Sequence, residues 1–277
     1  SIFVVAPIII MVVYAFSTAA GDFSLENFAR MGTYTAVFTR SFKLAIIATL
    51  IALLIGYPVS YMLSKEGPQV QRIAMVLIML PMWMNFLLRT YSWMSILENN
   101  GLLNQLFQQI GLIDLYNQIA MHFASDPAAY VPIDHFQMIG TQGAVVLGMV
   151  YNYLPFMILP IYSVLVKLDH SLIEAARDLG ASSVQVFRKV ILPLSLPGVL
   201  SGITMVFVPS VSTFAISRLL GGGTQMMLGD LIEQQFLGGA YNPQLGAAIA
   251  LVMMAIVVVC MLVMNRFGDG EEQAVML

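Results

Sequence analysis

Long apolar runs, separated by short polar segments, make up most of this chain. A helix needs about 20 mostly apolar residues to cross the hydrocarbon core of a bilayer. Prolines inside several runs predict kinks, since neighbouring helices and hydroxyl groups can satisfy the carbonyls that a proline frees. The pattern predicts an all-α, polytopic transmembrane helical bundle of about six spans in a single domain, residues 1–277. The predicted spans lie near residues 1–16, 44–63, 73–97, 143–166, 194–216 and 245–264.

The composition supports the membrane interpretation. Only 10% of the residues are charged and 59% are hydrophobic, whereas soluble domains carry about 25% charged residues. Lipid must therefore contact most of the surface, which excludes a secreted disulfide scaffold, a disordered tail and a basic nucleic-acid binder. The single cysteine, Cys260, lies in an apolar run, where we expect it to pack. Because an apolar run begins directly at Ser1, we expect further residues upstream.

Basic residues predict the orientation, because loops rich in Lys and Arg tend to stay in the cytoplasm. Between Arg89 and Lys167 the chain has no Lys or Arg, so the loop 98–142 is predicted to be external. The segment 167–193 contains several basic residues and is predicted to be cytoplasmic. Three residues of the first external loop depart from this rule: Arg30, Arg40 and Lys43.

The external loop 98–142 is too long to be a simple turn. Apolar residues at helical spacing predict a short surface helix over 102–110, between two glycines. Pro127 and Pro132 predict an irregular cap in the remainder of the loop.

The cytoplasmic segment 167–193 is the most polar stretch between the last three spans. Ser171 and Glu174 have the spacing of a capping box, which predicts the start of a short helix. Gly180 is predicted to end that helix as a left-handed residue. One of the serines at 182–183 is predicted to cap a second short helix that leads into the fifth span. The segment is either an ordinary amphipathic loop or a helix–turn–helix elbow against which another protein docks.

A resemblance favours the elbow. Glu174-Ala175-Ala176, Gly180 and Ile191-Leu192-Pro193 resemble the EAA loop of ABC importer permeases, although the spacing before the last motif departs slightly from that pattern. In that family the loop is the coupling helix, which docks on the ATPase subunit. The resemblance implies the type I importer (MetI-like) fold for the chain. It also implies an ATPase-coupling surface formed by Glu174, Ala175, Ala176, Asp178, Leu179 and Gly180.

Further motifs are similar to those of the B-type spermidine/putrescine permeases. They are the stretch from Leu80 to Asn85 with Arg89, Tyr91 and Trp93, the stretch from Leu154 to Met157, and Leu220-Gly221-Gly222 with Gln235-Phe236-Leu237. This resemblance implies ATP-driven import of polyamines across the bacterial inner membrane. Related permeases for iron, thiamine or phosphonate share part of these patterns, so those substrates stay open as alternatives.

The same resemblance implies the partners. They are a second permease of the C type, a dimer of ATPase subunits and an external binding protein that delivers the substrate, with lipid around the spans and no nucleic acid. The ATPase subunits would bind ATP and Mg²⁺, so this chain needs no cofactor of its own.

Six residues are candidates for the substrate pathway: Trp83, Asn85, Arg89, Tyr91, Tyr153 and Glu98. An aromatic ring can hold an ammonium group by a cation–π contact of up to about 2 kcal/mol when desolvated. Trp and Tyr also concentrate at membrane interfaces for other reasons. Arg89 follows Asn85 by one turn on the same predicted helix face, and is either a functional charge or an arginine that snorkels to the outer interface. Glu98 is expected to act at the outer mouth.

Arg218 and Glu233 carry charges opposite to those of the B-type pattern at these two positions. A reciprocal exchange keeps an ion pair possible between the end of the fifth span and the segment before the sixth. We therefore predict a structural or gating pair.

The rival classes are a membrane-embedded enzyme and a secondary transporter that works alone. A secondary transporter is expected to have broken helices in matching halves or carboxylates at mid-membrane, and no Asp or Glu lies inside a predicted span. The glycines at 221–223 lack the Lys-Ser/Thr of a P-loop, so the chain is not expected to hydrolyse ATP. His122, His135 and His170 are scattered and predict no metal site. We expect no catalytic residues.

Overall fold

The computed structural model describes residues 2–18, 20–123, 130–239 and 241–275. Helices joined by turns make up these ranges, with one isolated β-bridge between Ser17 and Phe23. The helices are α1 (Ile2–Ala15), α2 (Glu26–Arg30), α3 (Thr35–Ser64), α4 (Pro68–Trp83), α5 (Phe86–Leu97), α6 (Leu102–Gln109), α7 (Leu112–Phe123), α8 (Gln142–Leu165), α9 (His170–Asp178), α10 (Ser183–Val186), α11 (Leu192–Ser212), α12 (Ala215–Leu220), α13 (Leu228–Leu237) and α14 (Pro243–Val275).

Four helical stretches of the described residues are long and apolar enough to cross a membrane. They are Glu26–Ser64, Gln142–Leu165, Ser183–Ser212 and Pro243–Met264. The helical stretches Pro68–Trp83 and Phe86–Gln109, which are bent at the break between them, would together provide a fifth span. The apolar part of α1, Val5–Ala15, is shorter than a crossing. The all-α transmembrane bundle is therefore confirmed, and the count of six spans stays a prediction.

Helices α3, α8 and α11 pack against one another and form the core of the bundle. Glycines allow the backbones to approach closely: a Cβ on Gly56 of α3 would lie 2.9 Å from Met157 Cγ, and a Cβ on Gly202 of α11 would lie 2.8 Å from Met157 Sδ. Met157 of α8 is fully buried between them. The Ser60 hydroxyl also donates to the Ile158 carbonyl at 3.1 Å. Both close packing and a hydrogen bond therefore join α3 to α8.

The predicted third span is not one helix. α4 ends at Trp83, α5 begins at Phe86, and the chain bends by 90° between the stretches Pro68–Trp83 and Phe86–Gln109. Met84 has extended backbone between them, and Asn85 Oδ1 accepts from the backbone N–H of Leu87 at 2.8 Å, which caps α5. A continuous helix over 73–97 is therefore wrong, because a polar N-cap restarts the helix in a new direction inside an apolar run.

The predicted fifth span, 194–216, also ends early. α11 ends at Ser212, because Thr213 adopts an extended backbone with φ −62° and ψ 141°. α12 and α13 then form a pair of short helices, residues 215–237, which we call the hairpin. Gly229 packs on the break, since a Cβ there would lie 2.5 Å from the Thr213 carbonyl oxygen. The hairpin therefore needs a glycine at the point where it meets the end of α11.

The loop 98–142 is more helical than predicted. The predicted surface helix is confirmed as α6, but α7 occupies much of the stretch expected to be irregular. Gly111, with φ +71°, turns the chain between the two helices. The prolines did not prevent α7, because both follow it in the sequence; Pro127 lies outside the described residues. Asn104 fastens α6 to the remaining loop, donating to the Phe136 carbonyl at 3.0 Å and accepting from its N–H at 2.9 Å.

Candidate functional site: an exposed elbow and a polar hairpin

The elbow, residues 167–193, begins with a cap that the sequence did not predict. The Asp169 carboxylate accepts from the Ser171 backbone N–H at 2.9 Å, so α9 starts one residue before Ser171. The predicted capping box between Ser171 and Glu174 is therefore wrong. Aspartate is as strong an N-cap as serine, and the earlier one sets the start of the helix. Glu174 instead projects from the exposed surface of α9.

The turn of the elbow is built as predicted. Gly180 is left-handed, with φ +83°. The Ala181 N–H donates to the Ala176 carbonyl at 3.0 Å and the Gly180 N–H to the Arg177 carbonyl at 2.8 Å, the two bonds of a Schellman motif. The Ser182 N–H then donates to the side chain of Gln185 at 2.8 Å, which completes a capping box for α10. These bonds fix the angle between α9 and α10.

The predicted coupling residues differ in exposure. Ala176 is half-buried against the core beneath the elbow, whereas the other five are exposed: Glu174, Ala175, Asp178, Leu179 and Gly180. Leu179 is 89% exposed, and Leu172 and Val184 also project outward. Apolar side chains on both short helices thus face away from the bundle. This is a surface that a protein partner could cover, and its coupling role stays a prediction.

The elbow joins the core helices through a continuous helix and through the packing of one aromatic ring. α10 continues through a π-helical turn, Phe187–Ile191, into α11, so Ser183–Ser212 forms one long helical stretch. The Phe187 ring packs edge-on against Tyr57 and Tyr61 of α3, at centroid distances of 5.9 and 5.4 Å. The hydroxyls of Tyr57 and Ser195 lie 2.8 Å apart and share a hydrogen bond. A displacement of the elbow would therefore reach both α11 and α3.

The six pathway candidates differ in exposure. Trp83 is 76% exposed, and Tyr91 and Glu98 are also exposed. Asn85 caps α5, and its carbonyl accepts from the Arg89 N–H at 3.2 Å, so the two residues lie one turn apart as predicted, but Asn85 is exposed and Arg89 is buried. The substrate contacts of these residues stay predictions.

Arg89 and Tyr153 are the two candidates inside the protein. Arg89 is 8% exposed, and its Nε and Nη1 are enclosed without an acceptor among the described residues. Tyr153 is half-buried; its hydroxyl interacts with the Thr213 side chain, and the ring lies within electrostatic reach of Arg89. An arginine that snorkels to the interface would expose its guanidinium. Because Nε and Nη1 are enclosed, Arg89 does not snorkel to the outer interface.

The hairpin brings Arg218 and Glu233 into contact. Arg218 Nη2 lies 2.5 Å from Glu233 Oε2, and Arg218 Nη1 donates to Glu233 Oε1 at 3.2 Å. The pair joins α12 to α13, so the predicted ion pair is present. Its gating role stays a prediction.

Asp230, which the sequence did not predict as a site residue, lies beside this pair and is 4% exposed. Its Oδ2 accepts from the Ser217 hydroxyl at 2.5 Å and the Met227 N–H at 3.0 Å, and its Oδ1 lies 4.0 Å from Arg218 Nε. Burial raises the pKa of Asp230, and these hydrogen bonds and the Arg218 charge oppose the rise. The available sequence signal is an acid in the first turn of a helix, which the helix dipole favours, and this acid lies outside the predicted spans.

A family model described as "Binding-protein-dependent transport system inner membrane component" matches residues 52–270. The chain belongs to this family. It is therefore a multi-pass transport component of the inner membrane rather than an enzyme, and the predicted localisation is confirmed. The match includes the elbow and the hairpin.

Two relatives are proteins of the same name from different bacteria. The spermidine/putrescine transport system permease protein PotB of Haemophilus influenzae is 35% identical over 267 residues, which cover 92% of this chain and 86% of that protein. PotB of Escherichia coli K12 is 36% identical over 246 residues, covering 88% of this chain and 82% of that protein. The predicted resemblance to B-type permeases of ABC importers is therefore confirmed.

Solved structures agree with the predicted fold. A bacterial ABC transporter that imports the acidic polysaccharide alginate matches with a TM-score of 0.75 at 15% identity, covering 97% of this chain and 90% of that chain. The inward-facing methionine ABC transporter MetNI matches with a TM-score of 0.59 at 18% identity, covering 88% of this chain and 98% of that chain. The importer-permease fold is therefore confirmed.

A mutation of Trp83 tests whether its exposed ring contacts the substrate. We expect Trp83→Ala to reduce uptake more than Trp83→Phe, because a phenyl ring keeps a face for cation–π attraction. Uptake is measured in membranes with matched protein levels. Trp93, whose ring packs against Tyr151 at 5.3 Å, is the control, and its replacements should lower stability. Equal losses for both Trp83 variants would indicate packing, and unchanged uptake would assign Trp83 to the interfacial belt.

Proposed function

We propose that this chain is one of two permease subunits in an ATP-driven importer of polyamines. The observation that carries the proposal is the similarity to two proteins named PotB over about nine-tenths of the chain. The other subunits would be a C-type permease, a dimer of ATPase subunits and an external binding protein. The ATPase subunits would hold ATP and Mg²⁺.

The elbow is the proposed contact with the ATPase. Its turn is fixed by the Schellman bonds at Gly180, and Leu179 offers an exposed apolar side chain for a groove on the partner. Closure of the ATPase dimer would displace α9, and α10 would pass the displacement to α11 without an intervening loop. ATP changes the balance between inward- and outward-open states only through different affinities of the ATPase contacts for the two states.

A polyamine would cross this subunit without a strong ion pair. The described helices α3, α4, α5, α8 and α11 contain no Asp or Glu, so ring faces and neutral oxygens are the groups available to an ammonium. Such contacts are weak enough to allow release. Carboxylates would act at the outer mouth, where Glu98 is exposed, or would come from the second permease.

The test is substrate-stimulated ATP hydrolysis by the intact complex in proteoliposomes. With the loaded binding protein present, spermidine or putrescine should stimulate hydrolysis and enter the vesicles. Iron, thiamine and a phosphonate are the comparison substrates, each with its own binding protein. Stimulation by one of these and not by either polyamine would contradict the proposed substrate while leaving the family unchanged.

A further inference from the structure

A cavity of about 210 Å³ lies between the elbow and the adjoining ends of α3 and α8. Two basic residues line it: Lys65, which directly follows α3, and Arg177, which lies on α9. Tyr61, Ser64 and Ser183 add hydroxyl groups to the same lining. Among the described residues that line the cavity, none is Asp or Glu. The cavity therefore combines two positive charges with hydroxyl groups.

Neither of these two charges is neutralised within the described chain. The acids closest to them in the sequence are exposed: Glu66, Glu174 and Asp178. The structure shows no ion pair between Lys65 or Arg177 and a carboxylate of the described residues. Lys65 Nζ lies 3.8 Å from the centroid of the Tyr61 ring, a contact that holds the ammonium in place without cancelling its charge. Because the two cations repel each other, an anion between them would stabilise the site.

The cavity lies at the ends of two helices that are long enough to cross the membrane. The stretches that contain α3 and α8 end at Ser64 and Leu165, and both residues line the cavity. Apolar side chains of the elbow, such as Leu168 and Ile173, line another part of it. Basic pockets between membrane helices on the cytoplasmic side bind the headgroups of anionic lipids, and the elbow is on the predicted cytoplasmic side.

We propose that a phosphate group binds in this cavity and bridges Lys65 and Arg177. Lysine and arginine both form strong, charge-assisted hydrogen bonds with phosphate oxygens. The position at the helix ends favours the headgroup of an anionic phospholipid as the source, and free phosphate offers the same chemistry. A bridging phosphate would tie α9 to the end of α3, close to the contact between the Phe187 and Tyr61 rings. It would thereby restrain the elbow, whichever substrate the protein transports.

Thermal stability of the intact transporter complex in detergent tests the site, because a ligand that binds the folded state raises the thermal midpoint. Dioctanoyl-phosphatidylglycerol, which is anionic, should raise the midpoint in a saturable way. Dioctanoyl-phosphatidylcholine, whose choline adds a positive charge, should not. The double variant Lys65→Gln/Arg177→Gln should weaken the apparent affinity for phosphatidylglycerol at least tenfold, since both charged donors are lost. The matched control, Arg72→Gln/Lys189→Gln, removes the same charge from exposed residues outside the cavity lining and should leave the affinity unchanged.

Inorganic phosphate, titrated in parallel, separates the two sources. Stabilisation by phosphatidylglycerol alone that requires Lys65 and Arg177 supports the site and assigns it to a lipid headgroup. The same dependence for inorganic phosphate supports the site and shows that it accepts free phosphate.

Three results would overturn the proposal. Equal weakening in both double variants would indicate general electrostatic attraction to the basic side of the protein. An affinity that neither double variant changes would place the ligand elsewhere. A complex that neither ligand stabilises would have an unfilled need for phosphate, as expected if a carboxylate of the ATPase occupied the cavity. Midpoints without ligand report on folding, and Lys65→Gln alone replaces the double variant if that variant is already destabilised.

Discussion

Gly180→Trp should lower uptake more than tenfold and release the ATPase subunits during purification. The left-handed backbone at φ +83° costs a residue with a Cβ about 1–2 kcal/mol. No atom of the described chain lies within 4 Å of a Cβ placed there, so the indole meets no internal obstacle. It would project instead from the surface that we assign to the ATPase, and its bulk would act on docking.

Smaller substitutions separate backbone strain from bulk. Gly180→Ala adds the strain without the ring and should reduce coupling only modestly, whereas Gly180→Asn should be milder still, since asparagine tolerates the left-handed region. The matched control is Gly111→Trp, because Gly111 also has a positive φ, +71°, and open space around its Cβ position. That variant should retain the ATPase subunits. Equal co-purification of the ATPase with both tryptophan variants would contradict the coupling surface.

Glu174→Lys should act on the surface alone. Asp169, not Glu174, provides the cap of α9, so the helix should keep its start when the charge at 174 is reversed. Circular dichroism should therefore be unchanged even where uptake is lost. If thermal stability falls together with uptake, the variant does not report on docking.

The features that the sequence predicts correctly are those set by residues close together in the chain. The left-handed end at Gly180 and a serine cap at 182 or 183 are confirmed, with Ser182 as the cap, because a helix end and a helix cap are set by the few residues around them. The same local rule misplaced the start of α9, since both Asp169 and Ser171 can cap and the sequence does not choose between them. Hydropathy found α3, α8 and α11, because burial in lipid selects apolar runs of a minimum length.

The breaks in the spans were not predictable in that way. Hydropathy reports how apolar a segment is and not the direction of its helix axis. It therefore does not predict the 90° bend near Asn85, which lies within an apolar run. The end of α11 at Thr213 is covered by Gly229, sixteen residues later, and only the folded chain shows this contact. The sequence alone allows Arg89 to lie at the outer interface or to have a functional role, and its burial depends on how α5 packs in the folded chain.

Charge reversal in the hairpin should cause the second large loss of transport. Arg218→Glu should impair transport strongly, because it removes the partner of Glu233 and places a third carboxylate beside Asp230. Glu233→Arg should impair it as well, by setting two guanidinium groups against each other. Exchanging both charges should restore transport in part. The coupling free energy should be about 1 kcal/mol, since contacting residues couple by roughly 0.5–3 kcal/mol and half-exposed pairs lie near the low end.

Asp230 explains why the rescue should be incomplete. Arg218 Nε lies 4.0 Å from Asp230 Oδ1, so a carboxylate introduced at 218 repels that buried acid even when Glu233 has been changed to Arg. Adding Asp230→Asn to the double exchange should raise transport further, because the amide oxygen can still accept from Ser217 and the Met227 N–H. Asp230→Asn in the wild-type background is the control and should not improve uptake. Uptake and the thermal midpoint of the purified complex are measured for each variant, and strictly additive losses would show that Arg218 and Glu233 act independently.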